Sequence, residues 1–196
     1  MKRLISLGIL ALAACGAPAP ASWMPQKPLP EYADALRTWT RKAETYEAFE
    51  SRVFVRATWF SPAFAAVYAA RRAERLGMAA NEAQSEAAAH IDAAQREVRL
   101  FVAVVTNEPF WNDLERGEAA TLRARLMHQG NALAPVHIER ISDDTLADMG
   151  PFFPYADPLT RAYWITFPMP AEGVTQGLHL RISGPPAIVD LHWEVL

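Results

Sequence analysis

The sequence predicts a mainly β domain, α+β by content: a β-sandwich of about seven short strands with an N-terminal helix and an inserted helical pair. Three observations carry this. Alternation of period two recurs in short runs separated by Gly, Pro, Asn and Asp turn signals. One of these runs, residues 97–106, is apolar on both faces. Amphipathic helical spacing is confined to the first half of the chain.

The N-terminus is organised separately. Lys2 and Arg3 precede an uncharged run over residues 4–14 made mostly of Leu, Ile and Ala. A run of about 11 residues is too short for a ~30 Å hydrocarbon core, which needs about 20 as a helix. It fits the apolar region of an export signal. It ends in Leu12-Ala13-Ala14-Cys15-Gly16, which resembles the lipobox of bacterial lipoproteins. That resemblance implies removal of residues 1–14 as a signal peptide and a diacylglycerol, usually with a third acyl chain, on Cys15. With Gly16 rather than Asp after the Cys, it implies the outer membrane; a domain facing the periplasm is expected there, with the cell-surface face as the open alternative. Cys15 is the one Cys of the chain, so no intramolecular disulfide can form even in an oxidising compartment.

Residues 15–30 read as a tether. Its stretch GAPAPASWMPQKPLP holds five Pro, which favour extended polyproline II at about 3.1 Å per residue and a reach of roughly 45 Å. Trp23 and Met24 within it suit either a membrane interface, a partner, or the domain's own surface. Residues 31–196 then make one domain, a length that supports a real core. The formal net charge of −3 becomes more acidic once Lys2 and Arg3 leave with the signal. No basic stretch points to nucleic acid.

Tyr32, Leu36, Trp39, Ala43 and Tyr46 lie at spacings of four and three, predicting a helix over 31–46. Residues 51–60 alternate and predict a strand ending at Ser61-Pro62, which suits N-cap and N1 of a helix that Gly77 would close. Asn81 is the expected cap of a second, Ala-rich helix over 82–95, with His90 on its surface. Residues 97–106 are the expected central strand, paired with 51–60, so the helices at about 62–95 form an insertion between sheet neighbours.

Residues 120–128 and 134–141, around a Gln129-Gly130-Asn131 turn, predict a hairpin. Residues 142–160 are expected to be irregular. Strands follow at 161–167, 178–183 and 187–195. The last two allow a register: the apolar rows match if Ile182 faces Val189 and Leu180 faces Leu191, which sets Arg181 opposite Asp190 and His179 opposite His192. The strand pattern resembles an immunoglobulin-like β-sandwich. It lacks the Cys pair and central Trp of antibody domains, so the resemblance implies the general architecture alone.

Few side chains suggest chemistry. His179 and His192, with Asp190 and Glu194, have zinc-compatible donors but sit on a wet strand face that does not close a site. Asp143, Asp144, Asp148 and Asp157 match no calcium-loop spacing and suit turns. No metal or other cofactor is expected. No Gly-x-Ser-x-Gly, His-Glu-x-x-His, P-loop or dinucleotide fingerprint occurs, and Ser51, Ser61, Ser85, Ser142 and Ser183 are explained as caps, turns or strand edges. The remaining feature is aromatic: Phe152, Phe153 and Tyr155, with Trp111 and Met149 possible neighbours. These five serve either as a partner-binding surface or as a plug over the core. The expectation is a non-catalytic outer-membrane lipoprotein that binds an envelope partner through this loop or the helical pair. Binding of a small molecule or ion is the alternative, and a lipid-anchored hydrolase a weaker one.

Overall fold

The computed structural model describes residues 30–47, 50–174 and 177–194. The signal segment, Cys15 and the tether up to residue 29 lie outside them. The elements are α1 (Pro30–Trp39), β1 (Thr40–Glu47), β2 (Glu50–Trp59), α2 (Pro62–Leu76), α3 (Ala80–Arg96), β3 (Glu97–Thr106), β4 (Arg123–His128), β5 (Asn131–Leu133), β6 (His137–Arg140), α4 (Asp143–Met149), β7 (Arg161–Pro168), β8 (Leu178–Gly184) and β9 (Ala187–Trp193). The fold is α+β, with two antiparallel sheets ordered β1-β2-β3-β7-β6 and β5-β4-β8-β9.

Strand β3 lies in the middle of the larger sheet, and both its faces are dry, as its composition requires. Leu100, Val102 and Val104 enter a cluster that also holds Val55, Ile165, Leu126, Leu180 and Leu191, so both sheets contribute to it. Phe101 and Ala103 enter a second cluster with Tyr32, Leu36, Phe64, Tyr68, Leu146 and Phe153, contributed by three helices and the segment after α4. The helical pair is indeed inserted between sheet neighbours, since β2 pairs with β3 directly. Ser61 caps α2 by accepting from the Phe64 N–H at 3.2 Å, and Gly77 ends it at φ +62°, a conformation other residues adopt at a cost. The register of β8 on β9 is the one the apolar rows dictate, including Arg181 opposite Asp190 and His179 opposite His192.

Four expectations are corrected. The helix over 31–46 stops at Trp39, and Thr40 begins a strand without any intervening residue. Thr40, Thr45 and the alternation of Lys42, Glu44 and Tyr46 with Arg41, Ala43 and Thr45 suit an extended chain, and pairing with β2 decides it. The expected hairpin over 120–141 is also split. Strand β4 pairs with β5 across the Gln129-Gly130 turn, but β6 pairs with β7 in the other sheet. Pro135 stands between β5 and β6; without an N–H it cannot continue a ladder, and the chain crosses there between sheets. These two changes raise the strands from seven to nine among the described residues. Within the segment expected to be irregular, Ser142 caps the short helix α4 by accepting from the Thr145 N–H. Finally, α3 begins at Ala80 with no side-chain cap, and Asn81 lies inside its first turn.

The abrupt passage from α1 to β1 leaves the last helical carbonyls without intrahelical partners. Both are satisfied from elsewhere. Trp193 in β9 donates its indole N–H to the Trp39 carbonyl at 2.7 Å, and Arg41 donates to the Thr38 carbonyl at 2.8 Å. Arg41 also donates to the His192 carbonyl at 2.8 Å, so the α1–β1 joint is stitched to β9. Trp39 packs against both clusters and meets Trp59 edge-on at 5.3 Å.

Replacing Trp193 by Phe leaves the Trp39 carbonyl unpaired beside the core. The expected loss is about 1–3 kcal/mol of stability, read as a lower urea midpoint with an unchanged slope. An unaltered midpoint would show that this bond does not hold the joint.

Candidate functional site

Three aromatic residues of the loop after α4 have different fates. Phe153 is fully buried and stacks on Phe101, ring centroids 3.9 Å apart and planes 11° apart. Phe152 is buried against Tyr68, and its carbonyl accepts from the Tyr32 hydroxyl at 3.0 Å. Burial in this apolar setting pushes the Tyr32 hydroxyl well above its ordinary pKa, so it stays a donor. Phe152 and Phe153 therefore form the plug, and the expectation that they face a partner is corrected: neither has a free ring. What they cover is the helix side of the large sheet, not the end of a sandwich. Met149 packs half-buried at the edge of the same cluster. Trp111 belongs to neither cluster. It sits on a turn of 3₁₀ helix, Pro109–Trp111, beside the exposed Phe110, with the Arg52 guanidinium 5.6 Å from its ring.

Tyr155 alone of the five lines an open surface with polar character. Its hydroxyl bonds Thr58 Oγ1 at 2.6 Å, and Thr58 Oγ1 in turn bonds Thr40 Oγ1 at 2.6 Å. Burial raises the Tyr155 pKa, with the bond to Thr58 acting the other way. This chain lies along the first of three rows across the sheet: Thr40, Thr58, Phe101 and Trp164. The next row is Lys42, Arg56, Ala103 and Ala162, and the third is Glu44, Phe54 and Val105. Helices and plug cover the first row at Phe101. Toward β1 and the third row the face is open and forms a trough.

The trough has two adjoining parts that share Lys42, Arg56 and Tyr155. One part, of about 410 Å³, runs toward Leu36 and Arg41 at the end of α1. The other, of about 250 Å³, has Phe54, Ala103 and Val105 as an apolar floor and Leu159 at its edge. Asp157 fixes that edge: its Oδ1 accepts from the Leu159 N–H and the Thr160 hydroxyl, both at 2.9 Å. Leu159 stands 82% exposed. Lys42, Arg41 and Arg56 escape a sequence reading because the first two fall where helical spacing predicts a helix. As a strand, the same residues place Lys42 directly across from Arg56.

The histidine pair is where the register puts it, but its geometry does not suit a metal. The His179 and His192 rings stack face to face, centroids 4.0 Å apart, so their nitrogens do not converge. Asp190 is engaged by Arg181 through two bonds of 2.8 and 3.1 Å and by His179 Nε2 at 2.7 Å. The Arg181 hydrogen bonds hold its carboxyl down at about 2. Among the described residues no group of three His, Cys, Asp or Glu is placed to hold a metal ion. Asp143 and Asp144 occupy the first turn of α4, favourable for its dipole, and Asp157 makes the turn already described.

No known protein family, no curated protein and no solved structure matches the chain.

Two outcomes follow from these contacts. Truncating Phe153 to Ala empties the stack on Phe101 and is expected to cost about 3–5 kcal/mol in urea unfolding; a surface ring would cost far less. Asp190, with its depressed pKa, contributes stability above the ordinary carboxylate range and loses it as pH falls through about 2. Replacing Arg181 by Ala should raise the Asp190 midpoint toward 3.8 in an NMR titration; an unmoved midpoint would mean that Arg181 is not what lowers it.

Proposed function

We propose that the chain is a bacterial lipoprotein, anchored in the outer membrane by acyl chains on Cys15, whose domain acts by binding in the envelope and not by catalysis. The observation that carries this is Leu12-Ala13-Ala14-Cys15-Gly16, placed directly after a basic pair and an uncharged apolar run. A lone Cys suits the reading, because acylation leaves no thiol to mispair. Two or three acyl chains hold a protein far more durably than one, which binds only weakly and reversibly. Among the described residues, no helix is long and apolar enough to cross a membrane.

The binding reading rests on the trough at Tyr155. It is concave, with an apolar floor, cations along one side and a rim fixed by the Asp157 turn. It replaces the Phe152–Phe153 surface as the place where a ligand or partner would sit, and favours a small ligand over a broad protein interface. The same reading takes the two sheets as the layers of a sandwich, supported by the cluster they share. Its likeness to immunoglobulin-like domains rests on antiparallel pairing in two layers alone.

The anchor is tested by replacing Cys15 with Ser in the full chain. Metabolically supplied palmitate should no longer label the protein, and the protein should leave the outer-membrane fraction or keep its signal. A variant still cut at residue 15 and still held in that fraction would overturn the proposal.

A further inference from the structure

The trough sets two cations beside an apolar floor, and that combination specifies what fits. Its larger part is lined by Lys42 and Arg56, by Arg37, which is paired with Asp34, and by Arg41, whose guanidinium is bound to the Thr38 and His192 carbonyls. Its smaller part has an apolar floor and two acids: Glu44, which accepts from the Tyr46 hydroxyl at 2.8 Å and lies 4.0 Å from Lys42, and Asp157, which holds the rim turn. Lys42 and Arg56 stand at the junction, opposite each other in register. Among the described residues Arg56 has no carboxylate partner, and Arg41 bonds only carbonyl oxygens. The carbonyl end of α1, which would repel an anion, is already taken by Arg41 and Trp193.

Resting on the binding reading above, we propose that this trough holds a single anionic amphiphile, its carboxylate or phosphate against Arg56 and Lys42 and its hydrocarbon chain over Phe54 and Val105 toward Leu159. An apolar floor flanked by Lys42 and Arg56 suits one small molecule with a charged end. A charge-assisted contact to a guanidinium supplies orientation, and the apolar floor supplies affinity that grows with each buried methylene. Neither half alone accounts for the other: a purely anionic ligand leaves the floor wet, and a purely apolar one leaves Arg56 unpaired.

The test uses the full lipidated chain in phosphatidylcholine nanodiscs, with empty nanodiscs as the calorimetric blank. Octanoate should bind above the blank, more tightly than hexanoate, while acetate and octylammonium should not. Arg56→Ala and Lys42→Ala, both at exposed positions, should each weaken octanoate about tenfold with the circular dichroism spectrum unchanged. Leu159→Ser should flatten the dependence on chain length. Equal binding of octylammonium, indifference to both cation variants, or no heat above the blank would overturn the proposal. So would loss of octanoate binding when equimolar phosphatidylglycerol is added, since the trough would then be seated on membrane headgroups. These results stand apart from the Cys15→Ser fractionation, which reports on the anchor whatever the trough binds.

Discussion

The fold depends on one strand being dry on both sides. Strand β3 lends Leu100, Val102 and Val104 to the cluster that both sheets share and Phe101 and Ala103 to the cluster under the helices. Because both faces are apolar, hydrophobicity alone does not fix its register, as it does for a strand with one wet face. Shape and hydrogen bonding do so instead. Phe101 must meet Phe153, and at the far end the buried Asn112 donates to the Val104 carbonyl at 2.8 Å while accepting from the Tyr163 hydroxyl at 2.9 Å. A polar side chain buried this deeply is tolerated because its amide is satisfied on both sides.

From that strand the rest is layered outward, and the layering is incomplete. Three helices and the Phe152–Phe153 plug are enough to cover the sheet at Phe101, with Arg99 lying over Trp164 at 4.1 Å to finish one edge. They do not reach the Lys42 and Glu44 rows on β1 and β2. An uncovered stretch of sheet is tolerable when its side chains are charged, and Lys42 on the edge strand β1 also discourages pairing of another strand there. The same charges beside an apolar floor are what give the trough its two-sided chemistry, so its binding character grows directly out of how far the helices extend.

Much of this was legible in the residues. The central strand, the inserted helices, the Ser61 cap and the whole β8–β9 register follow from period and turn chemistry. The failures have definite causes. Ala43 and Tyr46 prolong the helical spacing of Tyr32, Leu36 and Trp39, and no Gly or Pro marks the change to β1. Strand β6 alternates as a hairpin arm would, and only Pro135 hints that it leaves for the other sheet. The aromatic loop was ambiguous because Phe153 in a core and Phe153 on a surface look alike in sequence; burial beside Phe101 decides it. The trough was hidden for a simpler reason: its walls come from α1, β1, β2, β3 and the segment 155–160, brought together by pairing across the sheet.

The bond from Trp193 to the Trp39 carbonyl spans 154 positions. During synthesis the first helix appears long before the strand that seals it. Local pieces such as the α2–α3 pair can form early, but the joint at Trp39 waits for β9. Until then the aromatic edge of Trp39 and Trp59 is bare, a sticky surface of the kind that holding chaperones shield. The α1–β1 joint is therefore completed only when β9 docks, and a chain without Trp193 would leave that joint unsealed.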